Sequence, residues 1–180
     1  MMAAMKRLAL FAMLFAALFV PCLAAPAQAA PANSGTAKIL LPDATAKLMP
    51  PSVFFSGQVA PVQMRNTYGL QFGDNMVVLA GLVDSSGYSS GMQVKYQGYL
   101  LSEVPLTIEG QTLPAGAYGF GFVAPHSFLV MDLGGHDVLR VDFHMDPNLA
   151  RPRPLMIAPS GQPRSYRLVA NRRYVTIRRK

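Results

Sequence analysis

Residues 68–83 read Tyr-Gly-Leu-Gln-Phe-Gly-Asp-Asn-Met-Val-Val-Leu-Ala-Gly-Leu-Val, and their grammar decides the fold class. Tyr68, Leu70 and Phe72 alternate with Gly69 and Gln71, the period of a strand with one apolar face. Gly73-Asp74-Asn75 supplies residues that tolerate a positive φ, so the chain reverses there. Met76–Val83 is then apolar without interruption, which predicts a strand covered on both faces.

The same grammar continues on the C-terminal side. Leu106-Thr107-Ile108-Glu109 runs into Gly110-Gln111, and Leu113-Pro114-Ala115-Gly116 is turn chemistry. Tyr118, Phe120 and Phe122 alternate with Gly119 and Gly121. Short strands are predicted over 127–133, 138–143, 155–158, 164–169 and 173–177. Asn171, between the last two, suits the left-handed conformation of a tight hairpin. Residues 92–103 carry both helical and period-two spacing, and we read them as a short helix or irregular segment before a strand over 100–105. No strand alternates with a long helix. Roughly eight or nine antiparallel strands in ~130 residues predict an all-β fold, a two-layer sandwich or flattened barrel over 52–180.

The N-terminal side reads differently. Lys6 and Arg7 precede an apolar run from Leu8 to Val20, and Ala27-Gln28-Ala29 supplies small residues at a cleavage site. Residues 1–29 are thus predicted to be a signal peptide, cleaved after Ala29 or Ala30. A retained anchor fits less well, because the run is short and is broken by Pro21. Lipid attachment at Cys22 lacks the small residue expected just before it. Cleavage would leave a periplasmic or extracellular chain with no cysteine, which excludes disulfides, thiolate nucleophiles and cysteine-ligated zinc. Residues 30–51, rich in proline, read as a flexible tether. Apolar side chains make up 51% of the whole sequence. Without residues 1–29 they fall to about 45%, the ordinary share for a globular domain, which excludes disorder and a multispanning membrane protein.

Charge is distributed unevenly. Residues 30–150 carry five basic groups against all nine acids, whereas residues 151–180 carry eight arginines and Lys180 with no acid. Such a block suits an anionic partner: a polysaccharide, a lipid head group or an acidic protein surface. Arg164, Arg167, Arg172, Arg173 and Arg178 are the candidate contacts. The competing reading pairs the block internally with Asp132, Asp137, Asp142 and Asp146, or leaves it as solvated strand faces. Interleaved Tyr166 and Tyr174 give the block a nucleic-acid-like composition, but export and the lack of a motif argue against nucleic acid as the partner.

Three constellations could carry chemistry. Gly87-Tyr88-Ser89-Ser90-Gly91 fits the Gly-x-Ser-x-Gly pattern, and Asp132 or Asp137 followed by His144 would complete a serine hydrolase order. The nucleophile elbow should come directly off a strand, yet Asp84-Ser85-Ser86 intervenes, so an ordinary loop is the plainer reading. His126, His136 and His144 lie close in sequence, and Asp142 with His144 would share a face of one strand, so His136, Asp142 and His144 are the metal candidates, although no His-x-His pair is present. Tyr88, Tyr96, Tyr99, Tyr118, Tyr166 and Tyr174 could line a carbohydrate groove or simply fill strands.

Gly110-Gln111-Thr112-Leu113-Pro114-Ala115-Gly116-Ala117-Tyr118 resembles the turn and strand start of exported bacterial β-sandwich domains of unknown function. Tyr88 and the stretch Lys95-Tyr96-Gln97-Gly98-Tyr99 are similar to parts of uncharacterised secreted proteins. The resemblance implies the fold and brings no activity with it. The expectation is a non-catalytic binding module that needs no cofactor; the alternative is a small metal-dependent or serine hydrolase using residues 132–146.

Overall fold

The computed structural model describes residues 36–180. The expected signal peptide, Cys22 and the first part of the expected tether lie outside the described residues. In chain order the elements are β1 (Lys38–Leu40), α1 (Pro42–Thr45), β2 (Ser52–Phe55), β3 (Gln58–Gln71), β4 (Val77–Val83), α2 (Ser90–Lys95) and β5 (Gly98–Ser102). They continue with β6 (Leu106–Ile108), β7 (Gln111–Leu113), β8 (Gly116–Val123), β9 (Ser127–Met131) and β10 (Asp137–Asp142). The chain closes with β11 (His144–Met145), β12 (Arg153–Pro159), β13 (Ser165–Asn171) and β14 (Arg173–Arg179).

Two antiparallel sheets form, as the alternation predicted, and neither closes into a barrel. The first runs β1-β3-β4-β5-β8-β9-β10, with β2 paired to β3; the second runs β12-β13-β14-β6-β7, with β11 paired to β14. The strands outnumber the eight or nine expected: β1 forms in the stretch read as tether, β2 precedes the first strand read, β11 arises where the chain crosses between the sheets, and a tight turn divides one apolar run. That turn, with Glu109 at φ 45° and Gly110 at φ 85°, makes a separate hairpin of β6 and β7. Asn171 takes φ 57° between β13 and β14, as predicted. The ambiguous stretch resolves into α2 and then β5, which begins earlier than expected and stops at Ser102, whose Oγ donates to the Val104 carbonyl at 2.6 Å.

The strand read as buried on both faces is β4, and each face has its own core. Val78 and Ala80 join Tyr68, Leu70 and Phe72 in the core between the sheets, against Leu106, Ile108, Leu168, Val175 and Ile177 of the second sheet. Leu79 and Val83 face the other way, into a second core with Met49, Val53, Phe55, Tyr88 and Tyr96. Each large apolar side chain so covered is worth about 1.5–3 kcal/mol. The glycines of β8 serve this second layer. Phe120 and Phe122 point into the sandwich, while a Cβ at Gly119 would strike the Phe55 ring and one at Gly121 would fall on the Lys95 carbonyl.

The tether reading of 30–51 is corrected from Ala37 onward. Lys38–Leu40 pairs with β3, and Pro42 starts α1 at the position where a missing N–H costs nothing. Thr45 is buried with its hydroxyl donating to the Leu41 carbonyl at 3.0 Å, and Met49 is buried in the second core. Of the prolines that looked like tether punctuation, Pro42 starts a helix, and Pro50 and Pro51 lie just before β2. Ala37 is clamped across the sandwich: its N–H donates to Tyr166 Oη at 2.6 Å, and that hydroxyl donates to the Ala37 carbonyl at 3.0 Å.

Candidate functional site

The basic block folds into β12, β13 and β14, and the period of two sorts its side chains. On β14, Val175 and Ile177 face the core, so Arg173 and Arg179, which share their parity, lie at the two ends of the inward face. Tyr174, Thr176 and Arg178 alternate with them and face outward.

The inward arginines are spent between the sheets. Arg173 donates to the Phe122 carbonyl at 2.8 Å, with its guanidinium 5.5 Å from the Phe122 ring and 5.8 Å from that of Phe143. Arg179 pairs with Asp74 at 2.8 Å and lies 5.0 Å from the Phe72 ring. Arg153 of β12 donates to Tyr68 Oη at 2.7 Å. Each joins the second sheet to the first, or to a connection leaving it, at the rim of the shared core. Two further arginines hold the connection between β11 and β12. Arg167 pairs with Asp146 at 3.4 Å and stacks 4.4 Å from the Tyr174 ring, and Arg172 donates to the Pro147 carbonyl.

Of the five arginines proposed as anion contacts, therefore, Arg167, Arg172 and Arg173 have partners within the fold. Arg164 and Arg178 are exposed, and neither has a side-chain hydrogen bond or ion pair among the described residues. The internal-pairing reading is borne out for Asp146 alone among its four aspartates. Asp137 pairs with Lys95 at 3.3 Å and Arg140 at 3.2 Å, and Asp132 pairs with His136 at 3.2 Å.

The histidines scatter. His136 sits with Asp132 at the β9–β10 turn, His126 packs 5.9 Å from the Phe143 ring, and His144 Nε2 faces Glu109 Oε2 at 3.3 Å. Asp142 and His144 do not share a strand: β10 ends at Asp142 in the first sheet, buried Phe143 carries the chain across, and His144 opens β11 in the second. Both border an open depression of about 470 Å³, together with Glu109, Gln111 and Arg140. No group of three metal-ligating side chains occurs among the described residues. Ser89 is the residue before α2, and no hydrogen bond among the described residues joins it to a histidine or carboxylate. Four of the six tyrosines read as a possible groove are buried in the cores: Tyr88, Tyr96, Tyr99 and Tyr166. Burial pushes the Tyr96 hydroxyl well above its ordinary pKa, which keeps it neutral.

No model of a known protein family, no curated protein and no solved structure matches this chain.

The site therefore rests on its own geometry. Sequence reasoning missed Asp74, Glu109, Phe122 and Tyr68 as arginine or histidine partners, because each lies far away along the chain. One signal was present: strict alternation on 173–179 already placed Arg173 and Arg179 on the side of Val175 and Ile177. It also missed Lys38, exposed on β1 with no side-chain partner among the described residues.

Proposed function

We propose that this chain is an exported, non-catalytic binding module, periplasmic or extracellular, that engages anionic surfaces through the cations its fold leaves unpaired. The observation that carries the reading is the division within the basic block. Five of its arginines are engaged internally, whereas Arg151, Arg164, Arg178 and Lys180 have no acidic partner among the described residues, and the last three project from the hairpin region. Unpaired surface guanidinium groups bind phosphate, sulfate or carboxylate by charge-assisted hydrogen bonds, often bidentate. The scaffold is rigid and the mechanism passive: the sandwich presents charge, and affinity follows ionic strength.

Chromatography tests this. The protein is expected to be retained on an anionic polysaccharide resin and not on the uncharged resin, and to elute earlier as salt rises. Arg164→Gln with Arg178→Gln is expected to elute at clearly lower salt. Retention that ignores salt, or that survives the double substitution unchanged, would overturn the reading.

A further inference from the structure

Of the seven exposed cations without a side-chain partner among the described residues, four gather at one place and Lys47, Arg65 and Arg151 lie elsewhere; the cluster deepens the reading above, on which this inference rests. Lys38 pairs in register with Gln71 at the end of β3. The turn that follows carries Asp74, which is bound to Arg179. Arg178 pairs in register with Ser165, the neighbour of Arg164, and the Lys180 N–H donates to the Pro105 carbonyl at 3.0 Å. Lys38, Arg164, Arg178 and Lys180 thus share one end of the sandwich and come from both sheets, whose layers stack about 10 Å apart. All four are exposed. The acids at this end of the first sheet are Asp74, neutralised by Arg179, Glu103, whose Oε2 accepts the Val77 N–H at 2.8 Å, and, at the β9–β10 turn, Asp132, paired with His136, and Asp137, paired with Lys95 and Arg140.

The chain joins the fold at the same end. Thr36 leads into Ala37, which the Tyr166 hydroxyl holds two residues from Arg164. The end is built from strand termini and turns, and neither depression beside His144 includes any of the four cations. A polysaccharide chain is commonly followed along a groove, whereas point charges on a blunt end suit a flat anionic sheet.

We infer that this end is a docking face for an anionic phospholipid surface, read through headgroup phosphates by Lys38, Arg164, Arg178 and Lys180. Co-sedimentation with vesicles tests it, using the exported protein and variants with the same N-terminus. Binding to phosphatidylcholine mixed with phosphatidylglycerol is expected, and little binding to phosphatidylcholine alone. Lys38→Gln/Arg164→Gln/Arg178→Gln/Lys180→Gln is expected to weaken binding on the order of a thousandfold. Lys47→Gln/Arg65→Gln/Arg151→Gln removes exposed cations elsewhere and is expected to cost less than about threefold. Equal losses in the two variants would mean that net charge alone acts and would overturn the docking face. Failure to bind either vesicle, with retention on the anionic resin intact, would overturn the lipid inference and leave the binding-module reading standing. Failure on both would sink both.

Discussion

Asp74 and Arg179 show what single side chains do in this molecule. Their sequence separation hides the pair, but the β3–β4 turn lies beside the end of β14, so the guanidinium meets a carboxylate and a phenyl face together. The hydrogen bond from Arg179 holds the Asp74 carboxyl below its ordinary value of 3.8. A carboxylate whose pKa is lower folded than unfolded adds stability above the unfolded value and forfeits it as pH falls through the folded one. Urea midpoints of the protein and of Asp74→Asn should therefore differ most above about pH 5 and converge towards about pH 2. A difference that persists undiminished in strong acid would mean that Asp74 acts through something other than its charge. Asp132 is lowered in the same direction, first by the His136 backbone N–H, so its contribution should fade over the same acid window.

At the scale of elements, β8 shows how an alternating pattern serves two neighbours at once. Its aromatic face fills the sandwich, and its glycine face lets α2 and the Phe55 ring approach the strand directly. At Gly121 the atom in the way belongs to the backbone of residue 95, which cannot rotate aside. Gly121→Ala should lower stability by about 1–3 kcal/mol, read as a fall in the denaturant midpoint at unchanged slope. Gly91, inside α2, has open space around its Cβ position. Gly91→Ala should be neutral or stabilise by up to about 1 kcal/mol, since alanine is the better helix former. Equal costs at the two sites would mean that α2 does not pack on β8 as described. The alternation of Tyr118, Phe120 and Phe122 with glycine was legible in the sequence, and so was the strand. What the glycines are for was not, because α2 reaches them from a segment whose spacing fitted helix and strand alike.

For the whole molecule, the arginine-rich strands β12 to β14 of the second sheet are chiefly a fastening and only partly a surface. Arg153 and Arg173 close the rim of the core by reaching Tyr68 and Phe122 of the first sheet. Replacing either by alanine should cost about 1–2 kcal/mol, from a lost hydrogen bond and lost packing of the side-chain stem. Arg164→Ala and Arg178→Ala should stay within about 0.5 kcal/mol, as exposed substitutions do. Thermal unfolding of the four variants measures the division directly, and similar melting temperatures for all four would refute it.

Local features of the chain were enough to determine the all-β class, the turn at 73–75, the double-sided burial of β4 and the left-handed Asn171, because alternation and turn chemistry act over a few neighbouring residues. The assignment of 38–51 to a tether failed for the converse reason: a three-residue strand and a four-residue helix are too short to announce themselves and exist only because β3 and the second core receive them. Which arginines remain free was likewise decided by tertiary structure alone. Their partners lie 51 and 85 positions away for Arg173 and Arg153, and no local pattern encodes a meeting that only the stacking of two sheets brings about.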